Sequence, residues 1–186
     1  MEQLTLEILR FLNNYKTKVE LKKDFKGNYY SYITDTVYIA KGVSKKQVPH
    51  NIDKNASEVL MVCHECIHSI QNKLMRILNT IFSNLSIIFS IICIFVGMFV
   101  DMPAWLRCVT GIIILFSIII RLLLETGAIN GSIKLAYEVV SKGIVKNVSI
   151  QNIEKGSEYI NRHKYLALIQ MISDKIIFLI LVFIIK

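Results

Sequence analysis

Apolar positions fall into three regimes along the chain, and each predicts a different kind of element. In the first twelve residues, Leu4, Leu6, Ile8, Leu9, Phe11 and Leu12 alternate with Glu7 and Arg10 at helical spacing, which predicts an amphipathic helix and not a cleavable leader. Ile33 to Lys41 (ITDTVYIAK) is rich in β-branched and aromatic residues and is bounded by Asp35 and Gly42, so a strand is expected at Thr36, Val37, Tyr38 and Ile39. Two uncharged or nearly uncharged runs follow: Ile77 to Val100 has no charged residue, and Trp105 to Leu124 has only arginines. Each is long enough to cross the hydrocarbon layer, which takes about 20 helical residues. Asp101-Met102-Pro103 separates them, and proline stops a helix, so the two runs predict a transmembrane hairpin. A last apolar run, Ile176 to Ile185, is only ten residues long. It spans only if Tyr165 to Lys175 joins it, which carries Asp174 and Lys175 to the bilayer's edge.

Composition agrees with this layout. Of 186 residues 53% are hydrophobic and 19% charged, a balance too apolar for a soluble globule. The expected class is therefore a mainly α membrane protein with a small β element. Its parts are residues 1–76, a transmembrane hairpin at 77–124, a helical part at 125–170 and a C-terminal membrane helix at 171–186. Lysines and arginines crowd the segment before the hairpin and recur after it, while the hairpin's tip carries Arg107 beside Asp101. The positive-inside bias then places 1–76 and 125–170 in the cytosol, giving a multi-pass protein of the cell membrane. A formal net charge of +8 is not matched by any glycine-rich phosphate loop, aromatic RNA-binding motif or basic recognition helix. The lysines are accounted for by topology and anionic lipid, so the lipid bilayer is a partner and nucleic acid is not.

Chemistry concentrates in VCHECIHSIQNK, residues 62 to 73. At about 100° per residue, His64 and His68 share a helix face while Cys63 and Cys66 point away from it. Asn55-Ala56-Ser57-Glu58 resembles a capping box, and neither glycine nor proline lies between Ala56 and Arg76, so one helix over 57–76 is expected, capped by Asn55 or Ser57. Two imidazoles at i and i+4 converge on one Zn²⁺, and the glutamate between them, Glu65, lies close enough to take a proton from the attacking water. A zinc site of this type needs a third protein ligand from elsewhere in the chain. Glu125 is the leading candidate, because the hairpin returns it to the membrane face where His64 and His68 lie and because a carboxylate beside hydrocarbon calls for a cation. The competing reading is an interfacial glutamate paired with Arg121 one turn earlier. Gly127, Ala128 and Gly131 then allow a close approach to the HECIH helix. Tyr137, Tyr159, His163 and Tyr165 are candidates for steadying an oxyanion, unranked among themselves. His50, beside Pro49 in a loop, is a weaker ligand candidate than any of these. Thr36 to Ile39 has two readings that do not exclude each other: an edge strand that binds extended substrate, or a hairpin with Val19 to Leu21 through a turn near Lys26-Gly27-Asn28.

Taken together, NASEVLMVCHECIHSIQNK, the hairpin, LLLETGAINGS and the later HKYLALIQ resemble the bacterial YugP-like neutral zinc metallopeptidases over about residues 19 to 186. The resemblance implies a zincin-like helical core, one zinc ion held by His64, His68 and Glu125, Glu65 as general base, and a peptide or membrane-protein substrate. The chain departs from that family's pattern at Ile67, where the family carries glycine, and at its start, where the family has a membrane helix. A second class stays open beside the peptidase: a non-catalytic membrane protein that binds metal or a partner protein.

Overall fold

The computed structural model describes residues 1–22, 27–40 and 53–184; His50, Lys26, Lys41 and Gly42 lie outside the described residues. The described chain is mainly helical, with one small sheet. It divides into two compact units, Met1–Gln71 with Thr126–Lys164, and Asn72–Glu125 with Tyr165–Lys186.

The first unit begins with α1 (Glu2–Phe11), the expected amphipathic helix, which buries Thr5, Ile8 and Leu9. Three strands follow: β1 (Lys18–Lys22), β2 (Tyr29–Ser31) and β3 (Thr36–Ala40). Their order is β1-β3-β2, so β3 is the middle strand. It runs parallel to β1, with Val19 opposite Val37, and antiparallel to β2, with Tyr30 opposite Val37. This corrects two expectations. Val19 to Leu21 does not form a hairpin with β3, and Thr36, Val37, Tyr38 and Ile39 do not form an edge strand. Both hydrogen-bonding edges of β3 are taken by its neighbours, so no extended substrate can add to it. The hairpin partner is β2, and the β2–β3 connection is pinned by Asp35, which has a left-handed φ of 49°. Its Oδ1 accepts hydrogen bonds from the Thr17 hydroxyl (2.8 Å) and the Tyr30 hydroxyl (2.5 Å). Short polar side chains tolerate that backbone region better than branched ones do.

Helix α2 (Lys54–Ile70) starts earlier and stops sooner than the sequence suggests. Asp53, and neither Asn55 nor Ser57, is the cap: its carboxylate accepts from the Asn55 and Ala56 amides. At the other end Gln71 turns extended, and Asn72 caps a new helix by accepting from the Leu74 amide at 2.8 Å. Two side-chain caps thus achieve a break that needs no glycine or proline. The unit's core joins Ile8 and Leu9 of α1, Val59, Leu60, Val62, Cys63 and Cys66 of α2, and Leu135, Ala136 and Val139 of α4 (Ala104–Ser141), with Ile153 of α5 (Ile150–Ile184). Gly143, with φ +69°, lets the chain leave α4 and turn into α5.

The second unit holds α3 (Lys73–Gly97), the part of α4 up to Glu125 and the part of α5 from Tyr165. All three helices are long and apolar enough to cross a membrane, which fits a membrane protein. α3 and α4 are the expected hairpin around Pro103, whereas the C-terminal apolar run is the end of one continuous helix that begins at Ile150. Apolar side chains such as Phe95, Ile112 and Ile180 face outward, and small polar ones face inward. Inside, the Cys93 thiol meets the Thr110 hydroxyl at 3.1 Å, and Gly111 packs so closely that an added Cβ lies 3.0 Å from the Phe183 ring. Lys175 turns inward and donates to the hydroxyls of Ser83 and Ser117, while Asp174 faces out. That is how α5 carries a lysine within an apolar helix: two hydroxyls solvate the ammonium in place of water.

Candidate metal centre

His64, Glu65 and His68 sit on the last two turns of α2, with Cys63 and Cys66 on the opposite face, fully buried in the core. Burial pushes both thiols above the ordinary cysteine range, and they pack as small hydrophobes in the core, outside the His64–His68–Glu125 group. The imidazoles point the other way. His64 is half-buried, His68 is 4% exposed, and their Nε2 atoms approach to 3.2 Å. Two nitrogens bound to one tetrahedral cation at about 2.0–2.1 Å lie roughly 3.3 Å apart, so the observed spacing fits a shared ion.

The third member is Glu125. Its carboxylate, with the ring nitrogens of His64 and His68, forms a group whose ligand atoms all lie within 4.8 Å of one another. The glutamate is 9% exposed. What brings it there is the packing of α4 on α2, and two glycines lie at the contact. A Cβ at Gly131 would lie 3.0 Å from Ile67 Cγ2, and one at Gly127 would lie 3.3 Å from Gln71 Nε2. Glu125 is on the same helix two residues before Gly127. Ile67, the bulky residue inside HECIH, is accommodated because its partner position is bare. His, His and Glu supply two borderline nitrogens and a hard oxygen, a donor set that suits a divalent ion such as zinc, and the three-ligand count leaves a fourth position open.

His68 is held from behind. Its Nδ1 lies 2.9 Å from Gln71 Oε1 and 3.1 Å from the Tyr32 hydroxyl, with the Tyr32 and His68 rings edge-on at 5.8 Å. A carbonyl oxygen only accepts, so Nδ1 carries the proton and Nε2 presents its lone pair to the site. The sequence assigns neither residue a role in the site. Gln71 had a readable signal, since i+3 from His68 is the same helix face. Tyr32 had none: it arrives from the β2–β3 connection.

Three of the remaining candidates have ring or hydrogen-bond partners of their own. Tyr137 faces Ser157 with 3.4 Å between hydroxyls, and Tyr159 stacks on His163 with ring centroids 4.1 Å apart. His163, exposed on α5, donates from Nδ1 to the Tyr159 carbonyl and is not in the His64–His68–Glu125 group. Tyr165 is 68% exposed on the same helix. Comparison with protein-family models, curated proteins and solved structures finds no match to this chain.

Proposed function

We propose that this chain is a zinc-dependent membrane peptidase of the YugP-like type, with a zincin-like helical core and its site on the cytosolic side. The observation that carries the reading is the His64–His68–Glu125 group, in which three ligands suited to zinc converge from two helices with a glutamate, Glu65, beside the first histidine. When bound there, zinc supplies a Lewis acid and lowers the pKa of water to about 7. Glu65 takes the proton released by the attacking water and delivers it to the amide nitrogen as the C–N bond breaks, leaving a carboxylate and a free amine. Gln71 and Tyr32 keep His68 in the tautomer that offers Nε2. The sheet edge beside His68 is β2, whose following residue is Tyr32, and extended peptide would pair there instead of on the enclosed β3.

The test is proteolysis by the purified, zinc-loaded protein in detergent, on casein or a single-span membrane substrate. Glu65→Gln is expected to lose hydrolysis by a factor of about 10² or more, as expected for loss of a general base, while retaining zinc. Zinc binding with no cleavage of any substrate by the wild-type chain would instead favour the non-catalytic, metal-binding class.

A further inference from the structure

We propose that Tyr32 and Gln71 are positioning residues for metal capture, fixing the ring of His68 before any ion arrives. The inference rests on the metal-centre reading and adds to it the two side chains that prepare a ligand. A free imidazole divides its proton between two nitrogens and turns about its Cβ–Cγ bond, and a ligand that must stop doing both binds an ion more weakly. Here Nδ1 faces an amide oxygen at 2.9 Å and a phenol oxygen at 3.1 Å, and no other nitrogen of the ring is left for the metal but Nε2.

Both positioning side chains are themselves held. Gln71 stands at the end of α2 with its amide nitrogen on Ile67's carbonyl at 3.2 Å, and its side-chain amide packs where Gly127 has no Cβ. Tyr32 meets Tyr30 edge-on at 5.2 Å, and Tyr30 donates to Asp35 in the left-handed turn. The residue after β2 is thereby tied to the ligand helix, and the small sheet acquires a role in preparing the site. Metal-ligating histidines held through their second nitrogen in this way lose roughly 10–100-fold in affinity when the partner is removed.

The experiment measures zinc affinity of the full chain in detergent by competition with a chromophoric chelator, independent of any catalytic activity. Gln71→Leu is expected to weaken zinc binding 10–100-fold and Tyr32→Phe several-fold, whereas Gln71→Glu, which keeps an acceptor oxygen at the same reach, restores wild-type affinity or exceeds it. Gly127→Ala, which crowds the Gln71 amide, is expected to weaken binding without touching any ligand. Thermal unfolding in excess chelator separates positioning from folding, since positioning predicts that the metal-free variants melt close to wild type. Wild-type affinity in both Gln71→Leu and Tyr32→Phe overturns the proposal, as does a loss in Gln71→Glu equal to that in Gln71→Leu. If the wild-type chain itself takes up no zinc, the metal-centre reading falls and this proposal with it, a result distinct from variants that match a zinc-binding wild type.

Discussion

Replacing Gly131 with alanine sets two known quantities against each other. Alanine is the better helix former by about 1 kcal/mol in a helix interior, so an open position would gain stability. At Gly131 the new methyl would lie 3.0 Å from Ile67 Cγ2 and 3.2 Å from Cγ1 and Cδ1, well inside ordinary contact at about 3.5–4.0 Å. Isoleucine in a helix has essentially one χ1 rotamer, so Ile67 cannot swing aside. Forcing one methylene into a packed site costs about 1–3 kcal/mol, and subtracting the propensity gain leaves a net loss of about 1 kcal/mol. The sign reverses when the obstacle is removed. Ile67→Ala deletes all three contacting atoms, and in that background Gly131→Ala is expected to stabilise by about 1 kcal/mol, a coupling of about 2 kcal/mol between the two positions. Four proteins, each unfolded by urea in detergent with chelator present to remove metal linkage, give the cycle. Equal effects of Gly131→Ala in both backgrounds would refute the packing argument.

Three further outcomes follow from the same structure. Burial holds the Cys63 and Cys66 thiols protonated in the folded chain, while in the unfolded chain they ionise above about pH 8.5. A raised folded-state value means stability is fully present below that pH and is lost as pH rises through it, by about 1.4 kcal/mol per pH unit per thiol; denaturation series from pH 7 to 10 should show the fall, and Cys63→Ala should flatten it. In the second unit, Ser83→Ala with Ser117→Ala removes both acceptors of the Lys175 ammonium and is expected to cost about 2–3 kcal/mol, more than Lys175→Met does, because an unsolvated buried charge is worse than none; thermal unfolding in detergent ranks the two. For sidedness, a membrane-impermeant maleimide applied to intact cells should label a cysteine at exposed Asp101 and miss one at Gly27 when Cys108 is replaced; the opposite pattern places the site outside.

Strongly periodic or strongly apolar segments were legible because one local rule dominates each. α1 shows its apolar stripe, and α3 and α4 show two long apolar runs divided by Pro103. The two histidines and Glu125 were legible for a related reason: helical spacing fixes i and i+4, and a helical hairpin returns its end towards its start. The rest depends on pairings that local sequence does not encode. β1 joins β3 in parallel through a crossover that contains β2, and β2 itself is a three-residue strand, YYS, too short to announce a period. The break after Ile70 was hidden because it is made by polar capping at Asn72 and not by a breaker residue. Tyr32 was invisible because its role exists only once the β2–β3 turn has been placed beside α2, and the bulk of Ile67 looked like a departure until Gly131 was found opposite it.

Metal content of the purified chain bears most directly on the central claim. After saturation with zinc and desalting, elemental analysis of the wild type should give one zinc per chain. Glu65→Ala and His163→Ala should keep it, since neither residue belongs to the ligand group, whereas Glu125→Ala and His64→Ala should lose most of it under the same washing, as expected when one of three protein ligands is withdrawn. A wild type that retains no zinc, or a Glu125→Ala chain that holds a full equivalent while His163→Ala loses it, would contradict the assignment of His64, His68 and Glu125 as the metal centre.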